Sequence, residues 1–360
     1  MNNDDVISVV ITTSPQKFHP ETGMLDYVID SLSYLSLSSM ITIHIVYDYY
    51  TIVSDDSKAH SKRGRIHQYL ADKYEAFKLN MTSKNFDTNM KYKLNHIILN
   101  EHHGFAMAVN IGLQACITDY CLVLQHDRAF INKVDCLYNI IELMKIHKNI
   151  RYIGMTTTST VHHDRLIRNQ YTSFESTYNE KIIHFIDDNG CYCILQPLLF
   201  MYDSNFLCEK NRFLELYKPY ISLTALQDKI LMQSIGNHRI NEMKLRKGDF
   251  IEDRLGQQQR ILLTSKALDI DISERSKLFD YFSTFLLYID FQPDPMKLNY
   301  TKKSTSTLVA HLRGRQLSFI YPYQGVQNKN QILVETETVE VEKVEQEEDN
   351  IESNSIFHNF

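Results

Sequence analysis

No CxxC pair occurs in this chain, and no apolar run reaches the roughly 18 residues that a membrane-crossing helix requires. The start, MNNDDVISVV, lacks the basic and apolar regions of a secretory leader. The six cysteines, at 116, 121, 136, 191, 193 and 208, form one close pair, Cys191 and Cys193. Four of them sit among apolar neighbours, the pattern of buried free thiols and not of a disulfide frame or zinc site. Together these absences predict a soluble, cytoplasmic protein with no transmembrane segment. Charge of one sign is also missing from most of the chain. The net charge is −6, but residues 335–352 alone carry nine acids and one lysine, so the remainder is close to neutral. That balance gives no reason to expect nucleic acid or a membrane surface as partner. There is no GxGxxG, no Walker pattern and no internal repeat, so the glycine-led segment at Gly104 is weak as a phosphate loop.

What is present is a periodic alternation. Apolar, β-branched VISVVITT (6–13), ITIHIVYD (41–48), KLNHIILN (93–100) and CLVLQ (121–125) read as buried strands. MLDYVIDSLSYL (24–35) sets Leu25, Val28, Ile29, Leu32 and Leu35 on one helical face. Helices are also predicted near 66–77, over GFAMAVNIGLQACI (104–117) and near 134–146. Repeated β-α-β implies an α/β fold with a mostly parallel sheet flanked by helices, right-handed crossovers and a ligand crevice at the carboxyl ends of the strands. Beyond 150, RYIGM, KIIHFI, CYCILQ and LLFMY read as short strands. NFLCEKNRFLELY, TALQDKILMQSIG, EDRLGQQQRILLTSKALDI and SKLFDYFSTFLLYIDF read as helices, the last with aromatics better suited to a core than to a sugar platform. ETETVEVEKVEQEED is too densely charged to pack, so 328–360 is expected to be an acidic disordered tail.

Polar residues collect where the strands end. Asp48 closes the second strand, Glu101-His102-His103-Gly104 follows the third, and Gln125-His126-Asp127 closes the fourth. In a parallel sheet these ends share one edge. A carboxylate there can hold a nucleoside or a divalent cation, although a turn residue at Asp48 and a helix cap at Asp127 are the plain alternatives. His162-His163-Asp164 reads as an exposed loop and not as a metal cluster, since adjacent histidines diverge.

The order SVVITT, HIVYD, then NEHHGFAMAVNIGLQACITDYCLVLQHD resembles the nucleotide-sugar half of GT-A glycosyltransferases, family 2 in particular. Gly104, Asn110, Gly112 and Ala115 match the family's glycine-led helix, and Asp127 matches the last acid of its DxD. LQDKILMQSIGNHRI (226–240) is similar to the segment carrying the family's catalytic Asp, and QQQR (257–260) to its QxxRW. The resemblance spans roughly residues 6–262. Gln125, Val109, Gln227 and Ile261 stand where the family has acid, arginine, glutamate and tryptophan.

The resemblance implies one catalytic domain over 1–327, with a nucleotide-sugar half to about 130 and an acceptor half from about 150. It implies transfer of a sugar from a UDP- or GDP-sugar to a glycan, protein or small-molecule acceptor hydroxyl, a hexosyltransferase reaction with inversion, assisted by Mn²⁺ or Mg²⁺. Asp127, with His311 as a distal partner, would hold the cation. Thr12, Thr13, Asp48, Gly104, Asn110, Gln125 and His126 would hold the nucleotide sugar, and Arg254 and Arg260 its diphosphate. Asp228 is the expected general base, with Asp253 and its neighbour Glu252 as the second choice. Two other readings stay open. A sugar-phosphate nucleotidyltransferase would share the sheet but open on a glycine-rich loop, which TTSPQKFHPETG is not. A GT-A-shaped binding protein without turnover would be consistent with the amides at Gln125 and Gln227.

Overall fold

A computed structural model describes residues 7–14, 23–37, 41–49, 75, 79, 92–217, 250–264, 271–290 and 307–312. All of these belong to one compact unit, Met1–Gln316. The predicted helix over 224–236, the predicted helix near 66–77 except Glu75, and the acidic tail lie outside the described residues. No helix among the described residues is long and apolar enough to cross a membrane.

The architecture is α/β, built on a nine-stranded sheet with helices against it. The first half supplies β1 (Ile7–Thr13), β2 (Ile41–Tyr47), β3 (Tyr92–Ile98) and β4 (Tyr120–Gln125), in the order β3-β2-β1-β4 and all parallel. Every residue of β1 is buried. A central parallel strand is covered on both faces, so it reads as a continuous apolar run and not as an alternation. The edge strand β3 instead alternates between half-buried and exposed positions. Helix α1 (Gly23–Ser31) precedes β2, and α2 (Phe105–Ala115) lies on β1 and β2. The α2 contact is close because of Gly112: a methyl group there would collide with Val10 and come within 2.9 Å of Val46.

The second half makes the sheet mixed. After β5 (Arg128–Phe130) and α3 (Leu137–Ile146) come β6 (Tyr152–Met155), α4 (His163–Gln170), α5 (Thr172–Glu180), β7 (Ile183–Ile186) and β8 (Tyr192–Pro197). Then follow β9 (Phe206–Glu209), α6 (Lys210–Leu214), a wide π-type turn over Glu252–Gly256, α7 (Gln257–Thr264), α8 (Ile272–Phe282), β10 (Thr284–Asp290) and β11 (Val309–His311). The sheet continues from β4 as β9-β6-β10-β8-β7, with β9 antiparallel to both β4 and β6. β11 and β5 form a separate antiparallel pair.

Three sequence readings change here. NFLCEKNRFLELY is not one helix: Phe206–Glu209 is the strand β9, inserted between β4 and β6, and the helix starts at Lys210. SKLFDYFSTFLLYIDF divides at Ser283, whose φ of 44° ends α8 in the left-handed region before β10 begins. LLFMY is a loop. Leu198, Leu199 and Met201 are buried, but the backbone bonds elsewhere: Leu199 N–H donates to His163 Nε2 at 3.2 Å, and the Leu198 carbonyl accepts from Gln259 Nε2 at 2.8 Å. The aromatics Phe279, Phe282 and Phe285 are core residues. All six cysteines are free, five of them buried.

Candidate active site

The ends of β1, β2 and β4 meet by register. Thr12 pairs with Gln125 and Thr13 with Tyr47. The pairing runs one residue further on each side: Asp48 N–H donates to the Thr13 carbonyl at 2.8 Å, and His126 N–H to that of Thr12 at 3.0 Å. Thr12, Thr13, Asp48, Gln125 and His126 therefore lie along one sheet edge.

Asp48 is buried. Its carboxylate accepts from the backbone N–H groups of Tyr49 at 3.0 Å, His103 at 2.7 Å and Gly104 at 2.8 Å, and lies 2.9 Å from His102 Nδ1. It ties down the loop that opens α2. Gly104, with φ at 80°, has the backbone conformation that glycine adopts without strain. Asn110 lies on α2, where its Oδ1 accepts from Gln114 Nε2 at 3.0 Å, and no described contact brings it to Asp127.

Asp127 follows β4 and precedes β5. The β5–β11 pairing sets Arg128 opposite His311, and Leu312 N–H donates to the Asp127 carbonyl at 2.7 Å. His311 Nε2 thus stands 2.8 Å from Asp127 Oδ2 across 184 residues of sequence. Arg128 Nε is 3.9 Å from Asp127 Oδ1 and 3.4 Å from Gln125 Oε1. Burial pushes the Asp127 carboxyl up, but the His311 hydrogen bond and the Arg128 charge are among the causes that outweigh it, and the net shift is downward. Asp127 is therefore a carboxylate at neutral pH. Burial lowers the pKa of His126, with Asp127 only partly offsetting it, so that imidazole is neutral.

Two atoms of this cluster bear on a cation. Asp127 Oδ1 and His126 Nε2 are buried and, among the described residues, accept or donate no hydrogen bond. Orphaned buried polar atoms call for a partner. Among the described residues no three His, Cys, Asp or Glu side chains converge as a complete metal cage. One carboxylate and nearby imidazole nitrogen fit Mg²⁺ or Mn²⁺ whose other ligands come from phosphate oxygens and water.

The Glu252–Gly256 turn stands beside this cluster. Gly256 lets it approach: a Cβ there would be 2.5 Å from the Met201 carbonyl oxygen. Glu252 N–H donates to Asp203 Oδ1 at 3.0 Å, and Asp203 N–H returns a bond to Glu252 Oε2 at 3.2 Å. Burial raises the pKa of Asp203 to about 7, opposed by the Glu252 N–H and reinforced by the charges of Glu252 and Asp253. Burial likewise raises the pKa of Glu252, while the Asp203 N–H and the Arg128 charge oppose the rise. The Arg128 charge therefore acts on two carboxylates, Asp127 and Glu252. Asp253 is exposed. Arg260 donates to the Tyr171 hydroxyl at 3.4 Å, and no described contact joins it or Arg254 to Asp127. Asp228 lies outside the described residues. His162, His163 and Asp164 do not converge: His163 is buried, its ring set between Tyr202 Oη at 3.0 Å and the Leu199 amide.

Sequence reasoning missed Arg128 and Asp203. Arg128 was legible as the cation next to the acid in QHDR; Asp203 had no local signal, because its partner lies 49 residues away.

No protein-family model and no curated protein matches the chain. Among solved structures it is similar to a mannosyltransferase from Pyrobaculum calidifontis in complex with GDP-Man and Mn²⁺, at 10% identity over 78% of this chain and 70% of that one, with a TM-score of 0.37. It is similar to TarS of S. aureus at 15% identity over 42% of this chain, with a TM-score of 0.26, and spans 22% of the TarS chain. GalNAc-T7 with UDP, GalNAc and Mn²⁺ matches at 10% identity over 64% of this chain and 40% of its own, with a TM-score of 0.32. These neighbours are GT-A glycosyltransferases. Superpositions this loose do not bear on the chemistry, which is read from the chain's own residues.

Proposed function

We propose that this protein is a glycosyltransferase that moves a sugar from a UDP- or GDP-sugar to an acceptor hydroxyl with inversion. The observation that carries the reading is the Asp127–His311 pair with Arg128 beside it, placed at the parallel sheet edge next to Thr12 and Gln125. Thr12 and Thr13 flank the nucleoside. Asp48 shapes the nucleoside pocket by holding the 102–104 loop, since its oxygens already accept backbone N–H groups. Asp127 and His311 would hold Mn²⁺ or Mg²⁺, and the cation, when bound, supplies positive charge at the diphosphate. Arg128 faces the same region and counters the charge of the departing diphosphate. Asp253 is the general base. It is exposed at a turn whose geometry Glu252 and Asp203 fix, so it can meet an acceptor hydroxyl. One base acting in a direct displacement inverts the anomeric centre.

The test is incubation of the full chain with UDP- and GDP-sugars, with and without Mn²⁺, scoring release of nucleoside diphosphate and transfer to added sugars. Nucleotide binding without release from any donor, in wild type and Gln125→Asp alike, would leave a binding protein and not an enzyme.

A further inference from the structure

A cleft of about 390 Å³ opens between helix α4 and the loop after β8. Ser159, His162, Arg165, Asn169, Gln170 and Tyr202 line it, and none of its lining residues is acidic. Its size falls within the roughly 300–1,000 Å³ of small-ligand sites. Its chemistry is that of a polyol site: a hydroxyl, an imidazole and two amides for sugar hydroxyls, with the Tyr202 ring and Leu166 as apolar surface. Arg165 is exposed on α4 and forms no ion pair among the described residues, in contrast to Arg168 one turn further, 3.3 Å from Glu175.

The cleft residue Tyr202 is next in sequence to Asp203, which bonds the turn that carries the candidate base. His163 fixes the Tyr202 hydroxyl at 3.0 Å. Burial lowers the His163 pKa to about 4, so the ring is neutral and adds no charge. Tyr202 is followed by Asp203, which exchanges two hydrogen bonds with Glu252 beside Asp253. The Glu252 charge reaches the Tyr202 phenol and, after burial, pushes its pKa further up.

We propose that this cleft is the acceptor subsite, and that the acceptor is a sugar or polyol bearing a phosphate or carboxylate group that Arg165 binds. The inference rests on the glycosyltransferase reading for the word acceptor; the ligand class rests on the cleft alone. A guanidinium without an internal partner favours a planar or tetrahedral oxyanion through paired N–H donors. Asn169 and Gln170 meet the ring hydroxyls.

The probes are glucose 6-phosphate, glucuronate, glucose and inorganic phosphate, titrated by calorimetry and NMR into the full chain, with UDP plus Mn²⁺ titrated separately. Glucose 6-phosphate or glucuronate should bind at least about tenfold more tightly than glucose, the size of one charge-assisted hydrogen bond. Whichever of the two binds more tightly identifies the anion. Arg165→Gln should abolish that preference, and Asn169→Ala should weaken all three sugars; both should leave UDP binding unchanged. The proposal is overturned if no sugar binds, if charged and neutral sugars bind alike, if Arg165→Gln keeps the preference, or if inorganic phosphate binds as tightly as the sugar phosphate. Failure of UDP to bind overturns the glycosyltransferase reading instead, and leaves the measurement on the cleft standing.

Discussion

Asp127 has one oxygen 2.8 Å from His311 and another that is buried without a hydrogen-bond partner. One carboxylate is a sparse site for a divalent cation until phosphate oxygens arrive. Mn²⁺ binding should therefore be weak alone and strong with UDP or GDP, and Asp127→Ala should abolish the nucleotide-dependent part in calorimetry. Gln125→Asp sets a second carboxylate beside Asp127 and Arg128, so Mn²⁺ binding without nucleotide should tighten; unchanged binding would count against the cation site. The base is tested in the same way. Asp253→Asn should lower the turnover rate by on the order of 10²–10⁴-fold while nucleotide binding survives. If Asp228→Asn has that effect and Asp253→Asn does not, the base lies in the 226–240 segment.

The elements that present these residues rest on two close approaches and one half-buried acid. At Gly112 the α2 backbone lies against Val10 and Val46. Gly112→Ala should destabilise the fold by about 1–3 kcal/mol, as overpacking does, read as a lower denaturant midpoint. The motif glycine is thus explained by packing. Asp203 titrates at about 7 in the folded protein, well above its ordinary value. For an acid whose folded pKa is raised, stability is full below about pH 4 and is lost as pH rises to about 7, because the native state keeps a proton that the unfolded chain has released. Asp203→Asn removes this slope. The variant's stability relative to wild type should grow between pH 4 and pH 8; a constant difference would contradict the assignment. His163, with its pKa lowered to about 4, contributes the opposite slope, losing stability as pH falls below about 6.5. It is common to both proteins and cancels in the comparison.

Legibility in the sequence followed the same elements. The strands β1, β2 and β4 were readable because burial on both faces writes them as apolar runs, and their C-terminal ends marked the edge where Asp48 and Asp127 stand. β9 was not readable, since NFLCEKNRFLELY also has helical spacing and its pairing with β4 and β6 is set by distant residues. The β10 boundary was hidden because Ser283 adopts a left-handed turn that glycine usually signals. His311 came from the family resemblance, and only the β5–β11 pairing places it.

Over the whole molecule, the described fold and the acidic segment differ in what they can contribute. Residues 335–352 carry nine acids and one lysine, and a composition of that kind is expected to add little to a packed core. Deleting 328–360 should leave the thermal midpoint and UDP affinity unchanged; precipitation or lost binding would assign the segment to the structure.

The strand β11 joins β5 through Val309 and Phe130, Ala310 and Ala129, and His311 and Arg128. A ribosome delivers Asp127 long before it delivers His311. While the nascent polypeptide waits, Asp127 has its neighbour His126 but not the hydrogen bond from His311. Premature termination anywhere in those 184 residues leaves a product that cannot assemble the pair. Completion of the proposed cation site would thereby come late in synthesis, and fragments released early should not compete with finished molecules for nucleotide and metal together.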